Sequence, residues 1–186
     1  MYQNLLNDSS LYPTLLRLDE EHALEAQEQK CECGGVLHRA LYPRNPRGGP
    51  TSREYQRRWS FCCSEEGCRR RHTPPSVLFL GRKCFFAAVV VLVSVLRQGA
   101  TPMRVSKLEE LVGVSARTIA RWRRWWLETF ARSRFWASSR AHLRAAVDEK
   151  SLPLALLRAF GGEEQTALVR VLCFLRPLSV SSASDF

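Results

Sequence analysis

Lysine is scarce in this chain of 186 residues: four of its 28 basic side chains are lysine and the other 24 are arginine. Long apolar runs are missing as well. The longest, Phe85–Leu96, is twelve residues bounded by Arg82-Lys83 and Arg97, whereas a bilayer-spanning helix needs roughly 20. The start lacks the basic-then-apolar order of a secretory leader, because Asp8, Asp19, Glu20 and Glu21 come early. A reducing cytosol is therefore the expected compartment, and structural disulfides are not expected there. The chain has no G-x-x-x-x-G-K phosphate loop and no G-x-S-x-G nucleophile elbow, and neither of those chemistries is expected. It has no internal repeat of useful length.

Positive charge and apolar residues are what the chain does have. Hydrophobic residues make up 45% and aromatics 10%, which excludes general disorder. The formal net charge of +10 is unevenly spread. Residues 1–30 carry −4, residues 31–84 carry +7, residues 85–136 carry +6 and residues 137–186 carry +1. A basic body with an acidic head points to a polyanionic partner, with an acidic membrane surface as the lesser option. Arginine's planar fork suits bidentate contact with phosphate or guanine better than a lysine point charge does.

Four segments follow from composition and periodicity. Residues 1–30 hold one amphipathic helix, about Pro13 to Gln29, with Leu15, Leu16, Leu18 and Leu24 as its apolar stripe and a solvated acidic face. Residues 31–84 form a turn-rich module of about three strands, over Val36–Tyr42, Tyr55–Cys63 and Arg69–Thr73 running on towards Leu80. A module of that size has too small a core to stand without a metal or disulfide. Residues 85–136 open with Phe85–Leu96, apolar on all sides and read as a buried helix, and continue with strong helical periodicity. Residues 137–186 hold two short helices, Leu152–Phe160 and Glu163–Leu175, and a Ser-rich end expected to fray. The fold class predicted is α+β and mostly helical.

The module's cysteines fall into two groups, Cys31-Glu-Cys33-Gly34-Gly35 and Cys62-Cys63-Ser-Glu-Glu-Gly-Cys68. Two thiolates on each of two tight turns complete a tetrahedral site, which suits zinc, and Gly34, Gly35 and Gly67 give the turns their freedom. The spacing departs from the common two-residue gap: one residue separates Cys31 and Cys33, and four separate Cys63 and Cys68. Only one of the adjacent Cys62 and Cys63 can easily ligate. Alternation puts Cys63 on the face of Trp59 and Phe61, and the predicted set is Cys31, Cys33, Cys63 and Cys68, with Cys62 as the alternative to Cys63. His38 and His72 are alternative donors for one position. The competing reading is a set of buried free thiols. A four-thiolate site leaves no open position for water, so the metal is expected to be structural. Cys84 and Cys173 lie in apolar runs and read as core residues.

The most specific stretch runs from Arg104 to Trp126. Ser106 and Glu109 have the spacing of a capping box ahead of Leu108, Leu111 and Val112. Gly113 stands where a left-handed cap ends a helix, Val114 enters the turn, and Ser115 caps the next helix. Two helices joined by a short Gly-containing turn describe a helix-turn-helix. At about 100° per residue with Ile119 at zero, Trp122 and Trp126 fall at about −60° and −20°, a buried stripe. Arg117, Arg121 and Arg124 fall at about 160°, 200° and 140°, on the opposite face, and Arg123 at about 40°, on the core edge. Ala116 and Ala120 between the arginines allow close approach to a groove, with Ser115 and Thr118 at the helix start. Forked donors and small residues outward, with aromatics behind, make a recognition helix over 115–130 for double-stranded DNA. A solvated cationic helix in a bundle is the alternative. Arg132, Arg134 and Arg140 are candidates for flanking phosphates, and Phe135 and Trp136 for packing a further helix.

Cys31, Cys33-Gly34-Gly35, Arg58-Trp-Ser-Phe-Cys-Cys63, Cys68-Arg69-Arg70 and the Gly113-Val-Ser-Ala-Arg-Thr-Ile turn together resemble the amino-terminal region of bacterial insertion-sequence transposases. There a cysteine zinc ribbon precedes a helix-turn-helix that binds the element's terminal repeats. The likeness covers about residues 31–130. Such enzymes cut DNA with three acids on a large ribonuclease-H-like domain. After Trp136 only 50 residues remain, with Asp148, Glu149, Glu163, Glu164 and Asp185 as their acids, and a complete nuclease domain is not expected. The expectation is a zinc-stabilised, non-enzymatic DNA reader of the bacterial cytosol, acting as a homodimer or beside a transposase. Two alternatives stand: a transposase or nuclease whose acids assemble in an oligomer or with a partner, and a zinc-ribbon scaffold for protein or RNA.

Overall fold

Four residues spaced by one helical turn, Leu11, Leu15, Asp19 and Ala23, form the buried row of the first helix. This helix, α1, spans Leu11–Glu28. The computed structural model describes residues 2, 4–80, 85–98, 101–143 and 145–180 of a chain that is α+β and mostly helical. The leucine stripe expected on α1 is displaced. Leu15 is buried and Leu16 and Leu18 are half-buried, but Leu24 is exposed, and an acid, Asp19, takes a place in the core row. The acidic face is thus not wholly solvated.

Short antiparallel strands follow: β1 (Leu37–Arg39), β2 (Tyr42–Pro43), β3 (Arg57–Arg58), β4 (Phe61–Cys63) and β5 (Arg71–His72). The order β1-β4-β5 makes a three-stranded sheet, with Leu37 opposite Cys63, His38 opposite Cys62 and Phe61 opposite His72. β2 pairs with β3 beside it. The third expected strand does not run through to Leu80. Pro74 and Pro75, which cannot donate to a ladder, precede a separate strand β6 (Phe79–Leu80) that pairs with β7 (Phe85–Phe86).

β7 leads into α2 (Ala87–Leu96), which is buried on every side from Ala87 to Val95. The helical reading of this run therefore holds from Ala87, while Phe85 and Phe86 are drawn into strand pairing. α2 is the axle of the main core, with α3 (Pro102–Val112), α4 (Ala116–Arg124), α5 (Arg134–Ser139), α6 (Leu154–Phe160) and α7 (Glu164–Leu175) following it in the chain. α4 and α7 pack directly on α2. A second, much smaller core joins Ala23 of α1 to Cys31, Leu37, Phe61 and Cys63. Cys173 is half-buried against the main core, and Cys84 and the Ser-rich end lie outside the described residues.

The helix expected over 115–130 changes form at Arg124, where a π-helical turn, Trp125–Phe130, takes over. The physical reason is the neighbouring indoles. On an α-helix adjacent side chains are about 100° apart, which would carry Trp125 round towards the arginines. The wider π turn lets Trp125, Trp126 and Phe130 all enter the core, where their ring centroids lie 4.8 to 5.3 Å apart. Phe135 and Trp136 continue this cluster from α5, and α6 and α7 close over it.

A buried polar knot ties these parts together. Asp19 accepts hydrogen bonds from Ser76 Oγ at 2.5 Å, from the Val77 amide at 2.6 Å and from the Leu78 amide at 3.3 Å. The Ser76 amide donates to Ser179 Oγ at 2.8 Å, and Arg58 Nη2 donates to the Ser179 carbonyl at 3.0 Å. Burial raises the Asp19 carboxyl to about 6, with its three donors and the nearby Arg58 opposing the shift.

Asp19→Ala leaves the Ser76 hydroxyl and the Val77 amide buried without their acceptor, and it should lower the urea-unfolding free energy by about 1–3 kcal/mol. Because the folded carboxyl holds its proton more tightly than an unfolded Asp, near 3.9, its contribution is full below about pH 4. It is lost as pH rises through about 6. The stability difference between the parent and Asp19→Asn should therefore change across that window and be flat above it.

Candidate metal centre and nucleic-acid interface

The metal centre begins with two turns. At the first, the Gly34 amide donates to the Cys31 carbonyl at 2.8 Å and the Cys31 amide to the Gly35 carbonyl at 2.9 Å, curling Cys31 and Cys33 towards one side. At the second, the Cys68 and Arg69 amides both donate to the Glu65 carbonyl. Gly34 takes the left-handed backbone expected of it, but Gly67 does not; Arg69 carries that conformation in the second turn. Gly35 is required for another reason. A Cβ there would lie 2.6 Å from Cys63 Sγ, inside contact distance. The β1-β4 register then brings the turns face to face.

The sulfurs of Cys31, Cys33, Cys63 and Cys68 all lie within 4.8 Å of one another and could hold a metal. The Cys31–Cys68 and Cys33–Cys63 separations are 3.7 and 3.4 Å. A tetrahedral ion with metal–sulfur bonds of about 2.3 Å sets its sulfurs about 3.8 Å apart. The residues fit such an ion. Cys62 lies outside this group, with its Sγ directed at the Arg69 carbonyl at 3.6 Å, so of the two neighbours it is Cys63 whose sulfur joins the cluster.

The cluster is electrostatically uneven. The Cys33 amide lowers the Cys31 thiol to about 6, with His72 assisting, whereas burial pushes the Cys63 thiol up to about 12. His72 stands beside the group of four sulfurs. Its Nε2 lies 3.2 Å from Cys31 Sγ and supports that sulfur from behind, a role the sequence spacing does not reveal. His38 is exposed on β1. Arg70 pairs with Glu32, which lies between the first two cysteines, and so links the two turns.

The arginine surface is built on α3 and α4. α3 does not start at the expected capping box. Thr101 is its N-cap, accepting from the Arg104 amide at 3.4 Å, with Pro102 at the first helical position, and Ser106 is mid-helix and exposed. Pro102 has no amide to satisfy there, which favours the earlier start. Leu108 and Val112 are buried, but Leu111 is exposed. Gly113 adopts the expected left-handed cap, with φ of 60°, and Val114 is buried in the turn.

Ser115 precedes α4 as expected, but its hydroxyl bonds Thr118 Oγ1 at 3.2 Å and does not cap the backbone. Glu109 does so instead, accepting from the Ala116 amide and tying α3 to the start of α4. Ile119 and Trp122 are buried, Trp122 at 5.1 Å edge-on to Phe85. Arg117, Arg121 and Arg124 are exposed with Ala116 and Ala120, and Thr118 is half-buried. Arg123, expected at the core edge, is exposed too. Among the described residues no acid pairs with any of these four arginines.

Arg132 and Arg134 are exposed, but Arg140 pairs with Glu149 at 2.8 Å, and the same carboxylate accepts from Trp136 Nε1 at 2.7 Å. That contact braces the carboxyl-terminal segment. Asp148 caps the turn at Lys150 and Ser151, and Glu164 accepts from the Tyr2 amide. Asp185 lies outside the described residues. No helix among those described is long and apolar enough to cross a membrane. No family model, curated protein or solved structure matches this chain.

Two substitutions separate the adjacent thiols. Cys63→Ser should abolish retention of one metal equivalent measured after gel filtration, whereas Cys62→Ser should retain it. Gly35→Ala, which leaves all four sulfurs in place, should also lose the metal because its methyl displaces Cys63.

Proposed function

We propose that this protein is a zinc-stabilised, sequence-specific reader of double-stranded DNA. It is related to the amino-terminal region of insertion-sequence transposases and acts as an accessory or regulatory factor without cleaving DNA itself. The observation that carries this reading is the outward face of α4, where Arg117, Arg121 and Arg124 stand beside the small Ala116 and Ala120 with no acid paired to them among the described residues, and the helix is anchored from behind by Ile119 and Trp122. A helix of that shape fits the major groove, where arginine donates two hydrogen bonds to guanine O6 and N7. The Glu109 contact holds the start of α4 at a set angle to α3, which a reader needs for register. The neutralising partner of the unpaired charge is then the DNA backbone, in a bacterial cytosol or nucleoid.

Zinc is the metal that best suits four thiolates in tetrahedral array. In this reading it is structural. It holds the two turns of a module whose own core is only a handful of side chains, and it supplies the positive charge that the buried Cys63 thiolate otherwise lacks.

Selection of bound duplexes from a random pool tests the assignment. A single preferred sequence should emerge, palindromic if the protein binds as a dimer, and be lost after zinc chelation. Arg121→Ala should weaken that site by about 1–3 kcal/mol and blur its preference. If this variant discriminates among duplexes as the parent does, α4 is not the reader.

A further inference from the structure

A cleft of about 660 Å³ opens beside the turn that joins α3 to α4. Small-molecule sites span roughly 300–1,000 Å³, and this one lies within that range. Three parts of the chain enclose it: the start of α1, the Pro46–Thr51 loop, and the end of α3 with its Gly113 cap. Gly48 and Gly49 let the loop come close. A Cβ at Gly48 would lie 2.9 Å from Val89 Cγ1 and 3.4 Å from the Val112 carbonyl, and one at Gly49 would lie 2.4 Å from the Phe86 ring. The Cβ at Gly49 would also stand 2.9 Å from the Tyr12 hydroxyl, so the bare glycine leaves that side of the hydroxyl uncovered.

Tyr12 is the buried polar group of the cleft. It is 8% exposed, and its ring is held edge-on to Tyr55 and Phe86, with centroids at 5.9 and 5.2 Å. Nothing among the described residues hydrogen-bonds its hydroxyl, although a buried tyrosine ordinarily has a partner. Burial pushes the phenol up, so the hydroxyl keeps its proton and can donate it to a ligand. The charged lining is one base and one acid. Arg47 is exposed and Asp8 half-buried, and neither is in an ion pair among the described residues. Asp8 Oδ1 accepts from the Ser10 amide and from Ser10 Oγ, both at 2.8 Å, which keeps the carboxylate charged and leaves Oδ2 open. Much of the remaining wall is apolar, with Leu6, Pro46, Pro50 and Leu111. Leu111 is 44% exposed on a helix that buries Leu108 and Val112, so a ligand here would cover an aliphatic side chain that the fold leaves bare.

We infer that this cleft binds a small zwitterion with an apolar body, of the class of free α-amino acids such as leucine, methionine or phenylalanine. The donors, Arg47 and the Tyr12 hydroxyl, meet the carboxylate; the acceptor, Asp8, meets the ammonium; Leu6 and Leu111 cover the side chain. A ligand with only one charge leaves Arg47 or Asp8 without its counterpart, and that mismatch is what selects the zwitterion. The cleft shares no residue with the four-cysteine group or with the arginines of α4, and the inference does not depend on the DNA reading.

Isothermal titration calorimetry of the full chain tests it with L-leucine, L-methionine and L-phenylalanine, each beside its deaminated acid and its decarboxylated amine. At least one amino acid should bind with a Kd below about 1 mM, and about tenfold more tightly than either of its one-charge forms. Tyr12→Phe should weaken that binding about tenfold and leave the unfolding midpoint unchanged or raised, because the hydroxyl has no partner to lose in the free protein. Leu111→Gln, at an exposed position, should weaken it as well and serves in place of Tyr12→Phe if that variant unfolds. Arg47→Gln should remove the preference for the amino acid over its amine. Binding weaker than about 1 mM by all three amino acids overturns the inference, as does a one-charge form that binds as tightly as its parent. Undiminished binding in the folded variants places the ligand elsewhere and overturns the cleft. These outcomes leave the DNA reading untouched, since no nucleic acid enters the measurement.

Discussion

A carboxylate taken out of water must find donors, and Asp19 finds them on a segment that no helix or sheet otherwise satisfies. The Val77 and Leu78 amides and the Ser76 hydroxyl turn inward at the point where the chain leaves the cysteine module and enters the main core. Ser179 extends the same network to the far end of the described chain, where Arg58 meets it. One buried acid on α1 thereby orients the module, the strand pair that precedes α2 and the closing turn together. Each donor needs the others in place, because a half-satisfied buried network is costlier than an apolar one.

The rest of the architecture serves two surfaces that the knot holds in one body. The module's small core is closed by four sulfurs whose spacing suits a tetrahedral ion. The helical part is closed by α2 and an aromatic cluster that reaches from Trp122 to Phe174. Only the second is large enough to be stable by burial. That difference explains why the clustered cysteines and the arginines of α4 stand on supports of such different kinds: two short turns facing each other in one case, a deeply anchored helix in the other.

Much of this was legible from residue order. Trp59, Phe61 and Cys63 alternate along one strand, and that alternation alone separates Cys63 from Cys62. The angular positions of Ile119, Trp122, Arg117, Arg121 and Arg124 follow from helical period, and Gly113 marks its own turn through its left-handed backbone. These features are local: each depends on residues within a turn or two. The misplacements share the opposite property. Leu24 and Leu111 lie outside because no element among the described residues covers them. Ser106 has the spacing of a cap but yields to Thr101 and Pro102, and Glu109, its expected reciprocal partner, reaches forward to Ala116 instead.

Residue order alone determines that the chain is mostly helical, that its module cysteines come in two turn-bearing groups, and which face of α4 carries Arg117, Arg121 and Arg124, because periodicity and turn chemistry act over a few residues. Tertiary packing decides that Asp19 belongs to the core, that His72 backs Cys31, that Trp125 is swallowed by a π turn, and that Arg39 and Arg71 rest on the Trp59 and Tyr42 rings. Those outcomes depend on which distant groups arrive alongside. A buried charge, a second donor to a thiolate or a stacked guanidinium exists only as a pair, and half of each pair comes from elsewhere in the chain.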